Sequence, residues 1–355
     1  MGNFKYFLED HKEKIILGGV IGLAIAGATG VIIYMNKHID KKLPVEEVTN
    51  QIKKADAVVY ETSDYKLKTI NLDNNDENAI IQLSKDDLVA KSPDLSSLFI
   101  YEEKEGTISN VSLKENKLDK HVIVKLKKKL KGATELLSNG KEFVLKTDSE
   151  MSIIDTKGNI NSFNEEAFVK SGLLMISESS IYSNYKNKIF VKNFDKMSKT
   201  QTINVYDETI HFEIKDGQVF AMNKFGEKRG QNMLLQFEKD SLNIANLLKI
   251  DTTKIVPIET SQNEPSISFI ETSDSEKQFI YNWEIAGEGK QDKPDKQEIE
   301  GNWGGNGEAV SVKGYVYALS PNELKVYNAR NGKVEETKEV KDSEKDLFVA
   351  PIFSD

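Results

Sequence analysis

The sequence predicts an all-β domain, a β-propeller of about seven blades, behind a single N-terminal transmembrane helix. Three observations predict it. Ile15 to Met35, IILGGVIGLAIAGATGVIIYM, is an unbroken uncharged stretch unlike anything else in the chain. From Ala57 onward the texture changes to short runs rich in apolar residues, separated by Asp, Asn, Ser and Gly turns. These runs fall into sets that recur at roughly 40 residues, the period of a propeller blade.

Residues 1–14, MGNFKYFLEDHKEK, form a short mixed-charge head read as cytoplasmic. Residues 15–35 follow as the span. At about 1.5 Å per residue a helix of this length reaches about 31 Å, against a hydrocarbon core of about 30 Å. A helix also satisfies all its own backbone polar groups, as lipid requires. Ala24, Ile25 and Ala26 offer a small-residue cleavage pattern, but the apolar run continues past it through Val31, Ile32 and Ile33. That exceeds the roughly 7–15 residues of a signal-peptide core, so the stretch reads as an uncleaved signal-anchor. Lys5, Lys12 and Lys14 before the span balance Lys37, Lys41 and Lys42 after it, so lysine count does not set the direction. The short head, the absence of cysteine and the large domain behind the anchor favour an extracytoplasmic C-terminal domain on a single-pass cell-membrane protein. Gly18, Gly22, Ala26 and Gly30 recur every four residues and form one stripe of small side chains on a helix. Such a stripe lets two helix backbones approach closely, which points to self-association or to packing against another membrane subunit.

Residues 36–56 read as a juxtamembrane stalk. Pro44 suits the first turn of a short helix, with Val45, Val48, Ile52 and Ala55 on one side. Glu46 and Glu47 near its start and Lys53 and Lys54 near its end suit the helix dipole.

Residues 57–355 form the propeller. The first set of strands is Val58 to Tyr60, Lys66 to Leu72 and Ala79 to Leu83. Six further sets follow, opening at Leu98, Glu142, Gly172, Ile210, Ser266 and Ala309, and Leu347 to Phe353 is a last strand. Pairing of the first strand with C-terminal strands closes the ring. Phe237 to Ile250 reads as either helix or strand. No blade has enough apolar surface to stand alone, so radial packing must supply the core.

The clearest blade text is Gly314 to Lys333, GYVYALSPNELKVYNARNGK. A strand ending in Tyr-Ala-Leu, then Leu-Lys-Val-Tyr, then a polar hairpin with Tyr327, Asn328, Asn331, Gly332 and Lys333 resembles the repeats of quinoprotein-type and YVTN-type β-propellers. Met151 to Ile160, MSIIDTKGNI, is a partial second copy with Asp155, Thr156, Lys157 and Gly158 in the turn. The resemblance implies the propeller fold. The aromatic docking motifs of quinoprotein enzymes are absent from the sequence, so no cofactor is expected, and the Trp-Asp dipeptides of the WD40 type are absent too.

The net charge of -9 argues against nucleic acid as a partner, because phosphate neutralisation needs a basic face. Zero cysteine excludes disulfides, thiolate metal sites and Cys nucleophiles. There is no Gly-x-Ser-x-Gly elbow, P-loop, His-Glu-x-x-His or Rossmann fingerprint. Of the 4 histidines, His11 and His38 flank the span, and His121 and His211 read as structural. Asp73 to Glu77 superficially resembles a calcium loop. The sixth position is Asn78 rather than Gly and the twelfth is Ser84 rather than Glu, so it reads as a hairpin turn, and no metal is expected. Lys125 to Lys131, KLKKKLK, reads as a solvated strand end or as a contact for a polyanion, such as teichoic acid or lipid headgroups. The most unusual loop is Gly287 to Glu308. It reads as a flexible insertion or as a partner-binding loop in which Trp303, Gly304, Gly305 and Asn306 present an exposed anchor.

The functional expectation is a membrane-anchored, extracytoplasmic protein-binding or scaffolding module in a bacterial cell-envelope complex for secretion, conjugation or wall assembly. The alternative is a hydrolase or lyase with acidic residues at the central mouth of the propeller.

Overall fold

A strand buried on both faces must lie between two layers, and β1 (Ala57–Glu61) is such a strand. Its alternation sends Val58 and Tyr60 one way and Ala57 and Val59 the other, and none of the four is more than 1% exposed. The same double burial recurs along the chain and dictates a stack of sheets rather than a single sandwich. The computed structural model describes residues 53–73, 80–95, 97–114, 117–196, 199–205, 208–215, 217–224, 232–238, 242–250, 255–271, 277–285, 294–301, 303, 308–340 and 349–353. The expected head, the span at 15–35 with Gly18, Gly22, Ala26 and Gly30, and the Pro44 helix lie outside them. Among the described residues no helix is long and apolar enough to cross a membrane.

The first sheet contains β1, β2 (Lys66–Asn71) and β3 (Ile80–Gln82). The second contains β4 (Leu88–Lys91), β5 (Leu98–Glu102), β6 (Thr107–Lys114) and β7 (Lys117–Lys125). The third contains β8 (Ala133–Ser138), β9 (Phe143–Thr147), β10 (Met151–Ile154) and β11 (Ile160–Phe163). A one-turn helix, α1 (Glu166–Val169), leads to the fourth, with β12 (Leu173–Ile176), β13 (Ser180–Tyr185), β14 (Lys188–Asn193) and β15 (Thr200–Asn204). The fifth contains β16 (Glu208–Lys215), β17 (Gln218–Lys224), β18 (Asn232–Phe237) and β19 (Ile244–Ile250). The sixth contains β20 (Ile255–Thr260), β21 (Ser266–Glu271), β22 (Phe279–Glu284) and β23 (Asp295–Glu298). The seventh contains β24 (Glu308–Val312), β25 (Tyr315–Leu319), β26 (Glu323–Asn328) and β27 (Val334–Glu339). The chain returns in β28 (Val349–Ile352) to the first sheet. Among the described residues each sheet has four antiparallel strands, consecutive in all but the first, and the sixth and seventh join into an eight-stranded sheet through a short parallel pairing of β20 with β24.

Side chains from each pair of consecutive sheets form one apolar cluster. Val59 and Leu98 meet between the first and second sheets, Phe99 and Phe143 between the second and third, and Val144 and Ile181 between the third and fourth. Tyr182 meets Ala221 between the fourth and fifth, Phe220 meets Phe269 between the fifth and sixth, and Ile270 meets Val316 between the sixth and seventh. The last cluster joins Val310 and Tyr317 of the seventh sheet to Val58 and Tyr60 of the first, so the series closes into a ring. Backbone closure matches it: β28 pairs antiparallel with β1, setting Ala57 against Ile352 and Tyr60 against Val349. This is the β-propeller architecture, closed by the pairing of chain ends that the sequence predicts.

The two turns that resemble propeller repeats occupy equivalent places. Gly158 follows the third strand of the third sheet, and Gly332 follows the third strand of the seventh. A Cβ on Gly158 would lie 2.1 Å from the Lys125 carbonyl oxygen, and one on Gly332 would lie 2.0 Å from that of Glu298. Each glycine oxygen in turn accepts a hydrogen bond from the preceding sheet, from Lys127 N–H at 3.2 Å and from Glu300 N–H at 3.0 Å. The glycine of each of these hairpins therefore welds one blade to the backbone of the blade before it.

Two sequence expectations need correction, and one open reading resolves. The strand sets omit β4, β8, β13 and β20; three of these are the first strands of their sheets, and β20 carries Pro257. Proline is tolerated there because the pairing of β20 with β24 covers only Glu259 and Thr260 and does not reach Pro257. The window from Phe237 to Ile250 resolves to strand in β19, which continues the antiparallel register of β18 from Asn232 against Ile250. Of the expected stalk, residues 53–56 lie on the seventh sheet instead. Ala55 is buried and its N–H donates to Tyr317 Oη at 2.7 Å, and Lys54 pairs with Glu336 at 2.8 Å.

Candidate functional site

The strands β4, β8, β12, β16, β20, β24 and β28 neighbour one another in turn, so they are the inner strands and surround the axis. The charged side chains they carry define the candidate site.

On β16 the sequence His211-Phe212-Glu213-Ile214-Lys215 alternates polar and apolar. Phe212 enters the cluster against the fourth sheet. The three polar residues turn the other way, toward the sixth sheet. Lys215 is fully buried, and its Nζ donates to the carbonyl oxygens of Thr260 at 3.0 Å and Ser261 at 2.7 Å. It also pairs with Glu213 at 3.3 Å. Glu213 Oε1 accepts the Thr260 N–H at 2.9 Å and faces His211 Nε2 at 2.9 Å. Burial pushes the Glu213 carboxyl up, but the Lys215 ammonium, the His211 ring and the Thr260 amide outweigh it and hold the group below the usual carboxylate range. Further along the same rim, Glu264 accepts the Lys313 N–H, and burial pushes its carboxyl up despite that bond.

A second cluster crosses the ring. Lys91 ends β4 in the second sheet, yet its Nζ meets Glu259 of the sixth at 2.5 Å and Glu308 of the seventh. Burial works against its charge, but the two carboxylates outweigh that and hold the ammonium above the ordinary lysine range. Beside it the Gln262 N–H donates to the Pro93 oxygen at 2.9 Å, again from the sixth sheet to the second. These contacts join blades that are not neighbours, so they bridge the axis itself.

The chemistry of this arrangement is that of a clasp. A carboxylate held ionised by a lysine is a weak base, and an ammonium held above its ordinary range is a poor nucleophile. His211 stands at the open side of this cluster: its side chain is 19% exposed and its Nε2 lies 2.9 Å from Glu213 Oε1. Among the described residues no group of three or more His, Asp or Glu could hold a metal ion.

The residues singled out from sequence fall elsewhere. Trp303 is not an exposed anchor. It is 1% exposed and packs with Ile299, Ala309 and Tyr327 between the sixth and seventh sheets, its backbone N–H donating to Gln278 Oε1 at 2.8 Å. Hiding an indole from water outweighs displaying it once two apolar sheet faces flank it. Gly304, Gly305 and Asn306 lie outside the described residues, as do Asn74 to Asn78 of the calcium-like turn. His121 sits exposed on β7, 2.9 Å from Asp119. The Lys125 to Lys131 segment crosses from β7 toward β8, with Leu126 and Leu130 buried and its lysines outside. Reasoning from sequence missed Lys91, Glu213, Lys215, Glu259 and Glu308. The alternation in HFEIK was the available signal for the first of the two clusters, and none existed for the second.

Fold and axis together define a β-propeller of seven four-stranded blades whose centre is spanned by ion pairs. No protein-family model matches the chain, and no curated protein matches it in sequence. Solved structures do. A protein of unknown function from Desulfotomaculum acetoxidans DSM 771 superposes with a TM-score of 0.55 at 13% identity, over 85% of this chain and 100% of that one. A protein of Bacteroides fragilis NCTC 9343, provisionally called a 6-phosphogluconolactonase, matches with a TM-score of 0.50 at 10% identity, over 83% of this chain and 97% of that one. One of Bacteroides uniformis ATCC 8492 with the same provisional name matches with a TM-score of 0.50 at 12% identity, over 84% and 100%. At such identities the likeness is one of fold, and it agrees with the resemblance of the repeats.

Proposed function

We propose that this protein is a membrane-anchored propeller that serves as a protein-binding or scaffolding module in a bacterial cell-envelope complex. The observation that carries this reading is the occupied axis. Lys91 with Glu259 and Glu308, and Lys215 with the Thr260 and Ser261 carbonyl oxygens, fill the position where a propeller enzyme would bring reacting groups to a substrate, and they tie blades together instead. Residues 15–35 supply the anchor, the Gly18, Gly22, Ala26, Gly30 stripe supplies a contact between membrane helices, and the domain lies outside the cytoplasm. A mild-detergent pull-down of the full-length protein tests the reading. Recovery of a stoichiometric membrane partner or of a self-associated form supports it, and recovery of the chain as a lone monomer overturns it.

One observation favours the hydrolase alternative, namely the His211–Glu213 pair at 2.9 Å in a partly open position. In that reading His211 acts as general base on an ester or lactone. Hydrolysis of a chromogenic ester or lactone panel that is lost in His211→Ala and kept in His121→Ala would establish it.

A further inference from the structure

We propose that the outer edge of the second blade is a docking surface for an anionic lipid bilayer. This rests on reading the chain as a membrane protein and adds a second point of contact to the anchor.

The surface is built by a β-bulge. In the pairing of β6 with β7, Ile108 faces Val124 and Ser109 faces Val122, so Ile123 is the extra residue. The bulge breaks the alternation of the edge strand. Val124 stays in the core at 2% exposure, while Val122 is 58% and Ile123 43% exposed. Two neighbouring β-branched apolar side chains thus stand in water on an outermost strand.

Lysines surround them. Residues 117–131 contain seven Lys and one Asp in a chain whose net charge is -9. Lys120 pairs with Glu102 at 2.7 Å. Lys125, Lys127, Lys128, Lys129 and Lys131 are all exposed. Among the described residues, the recorded side-chain partners of this group are neutral: Asn159 Oδ1 for Lys127 and the Lys104 carbonyl oxygen for Lys129. Edge lysines alone serve to discourage strand pairing. That role does not explain an adjacent Val and Ile pushed outward by a bulge. A soluble polyanion would use the lysines and leave the apolar pair wet. A bilayer interface uses both, taking apolar side chains at the acyl boundary and ammonium groups at the phosphates.

The chain has no cysteine, so Ile123→Cys in the full-length protein gives a single labelling site. Labelled with an environment-sensitive fluorophore, the protein is incorporated into phosphatidylcholine vesicles with and without phosphatidylglycerol. The expected result is brighter, blue-shifted emission only with phosphatidylglycerol, reversed by salt. Changing Lys125, Lys128 and Lys131 together to Gln should weaken docking about 100-fold, at about fivefold per lysine. Equal emission on both vesicle types overturns the proposal. So does an equal response to soluble inorganic polyphosphate, which would mark the surface as a polymer site. Co-sedimentation of the unlabelled full-length protein with phosphatidylcholine vesicles reads the anchor separately, so loss of the anchor and loss of docking remain distinguishable.

Discussion

Replacing Gly158 by Ala separates the two reasons a propeller turn can need glycine. Gly158 has φ +73°, and Gly140, in the turn after β8, has φ +83°. Either position strains an L-residue, at about 1 kcal/mol or a little more. The surroundings differ. A Cβ at Gly140 meets nothing within 4 Å, whereas one at Gly158 would lie 2.1 Å from the Lys125 oxygen, well inside any real contact. The turn must therefore retreat by about 1 Å, stretching the Lys127 N–H bond to the Gly158 oxygen at a cost of about 1 kcal/mol. Strain in the packed blade interface adds about 1 kcal/mol or more. Gly158→Ala should destabilise by about 3 kcal/mol and Gly140→Ala by about 1 kcal/mol. Urea unfolding of the full-length protein in mild detergent reads the difference, followed by the fluorescence of Trp283 and Trp303, both 1% exposed. Gly332→Ala should behave like Gly158→Ala. Equal losses at 140 and 158 would refute the role given to the blade-to-blade contact.

Other expected outcomes follow the ion pairs and the ring. Lys91→Met removes the ammonium shared by the partly exposed Glu259 and Glu308 carboxylates and should cost about 1–3 kcal/mol at neutral pH, less than a fully buried pair because water screens both. The loss should shrink as salt screens the two carboxylates, and a salt-independent loss in urea titrations would exclude an electrostatic origin. Glu213, whose folded carboxyl lies below the ordinary 4.5, adds stability that is present above that value and lost as pH falls through the folded value. Stability should therefore decline on acidification below about pH 4.5, and more shallowly in Glu213→Gln. A chain ending at Val340 lacks β28 and should lose its sharp unfolding transition, because the first sheet is left without its inner strand; an unchanged midpoint would contradict ring closure. Gly22→Leu in the span should reduce crosslinked dimer or partner yield in detergent, and an unchanged yield would remove the small-residue stripe from the interface.

The ring was legible in the sequence because period, turn chemistry and chain-end pairing are local or repetitive signals. β25 and β26 stand almost where the pattern places them, since YVYAL is an unbroken apolar run, ELKVYN alternates in its first four residues and the Asn-Gly turn follows. The inner strands were harder to read. β4 has only four residues, and in the second place of its sheet β13, SIYSNY, looks polar although Ser180 and Ser183 are fully buried. Their burial comes from neighbouring blades, which a local window does not contain. The same holds for the axial site. Lys91 and Glu308 are separated by 217 positions and meet only because the closed ring brings the inner strands of the second and seventh blades together past the first. Trp303 shows the converse error. A glycine-rich, charged loop suggests exposure, but the apolar walls on either side of that Trp belong to strands before and after the loop, and they decide its place.

The lysine segment and the repeat glycine are parts of one construction. The carbonyl that excludes a Cβ at Gly158 is that of Lys125, the first residue of the basic run. The next amide along, Lys127 N–H, is bound by Gly158 itself. Leu126 and Leu130 hold the segment from below, and Leu130 is bonded at both ends of its peptide by Tyr101, its oxygen accepting from Tyr101 Oη at 2.5 Å and its N–H donating to it at 3.2 Å. The backbone is therefore fixed while the lysines project from it. A charged surface held in place by its scaffold loses less conformational entropy on binding than the same lysines on a free loop. It follows that Gly158→Ala should weaken phosphatidylglycerol docking as well as stability, even though the substituted residue bears no charge. A Gly158→Ala protein that docks with undiminished affinity would show that the lysines act as a loose tether rather than as a built surface.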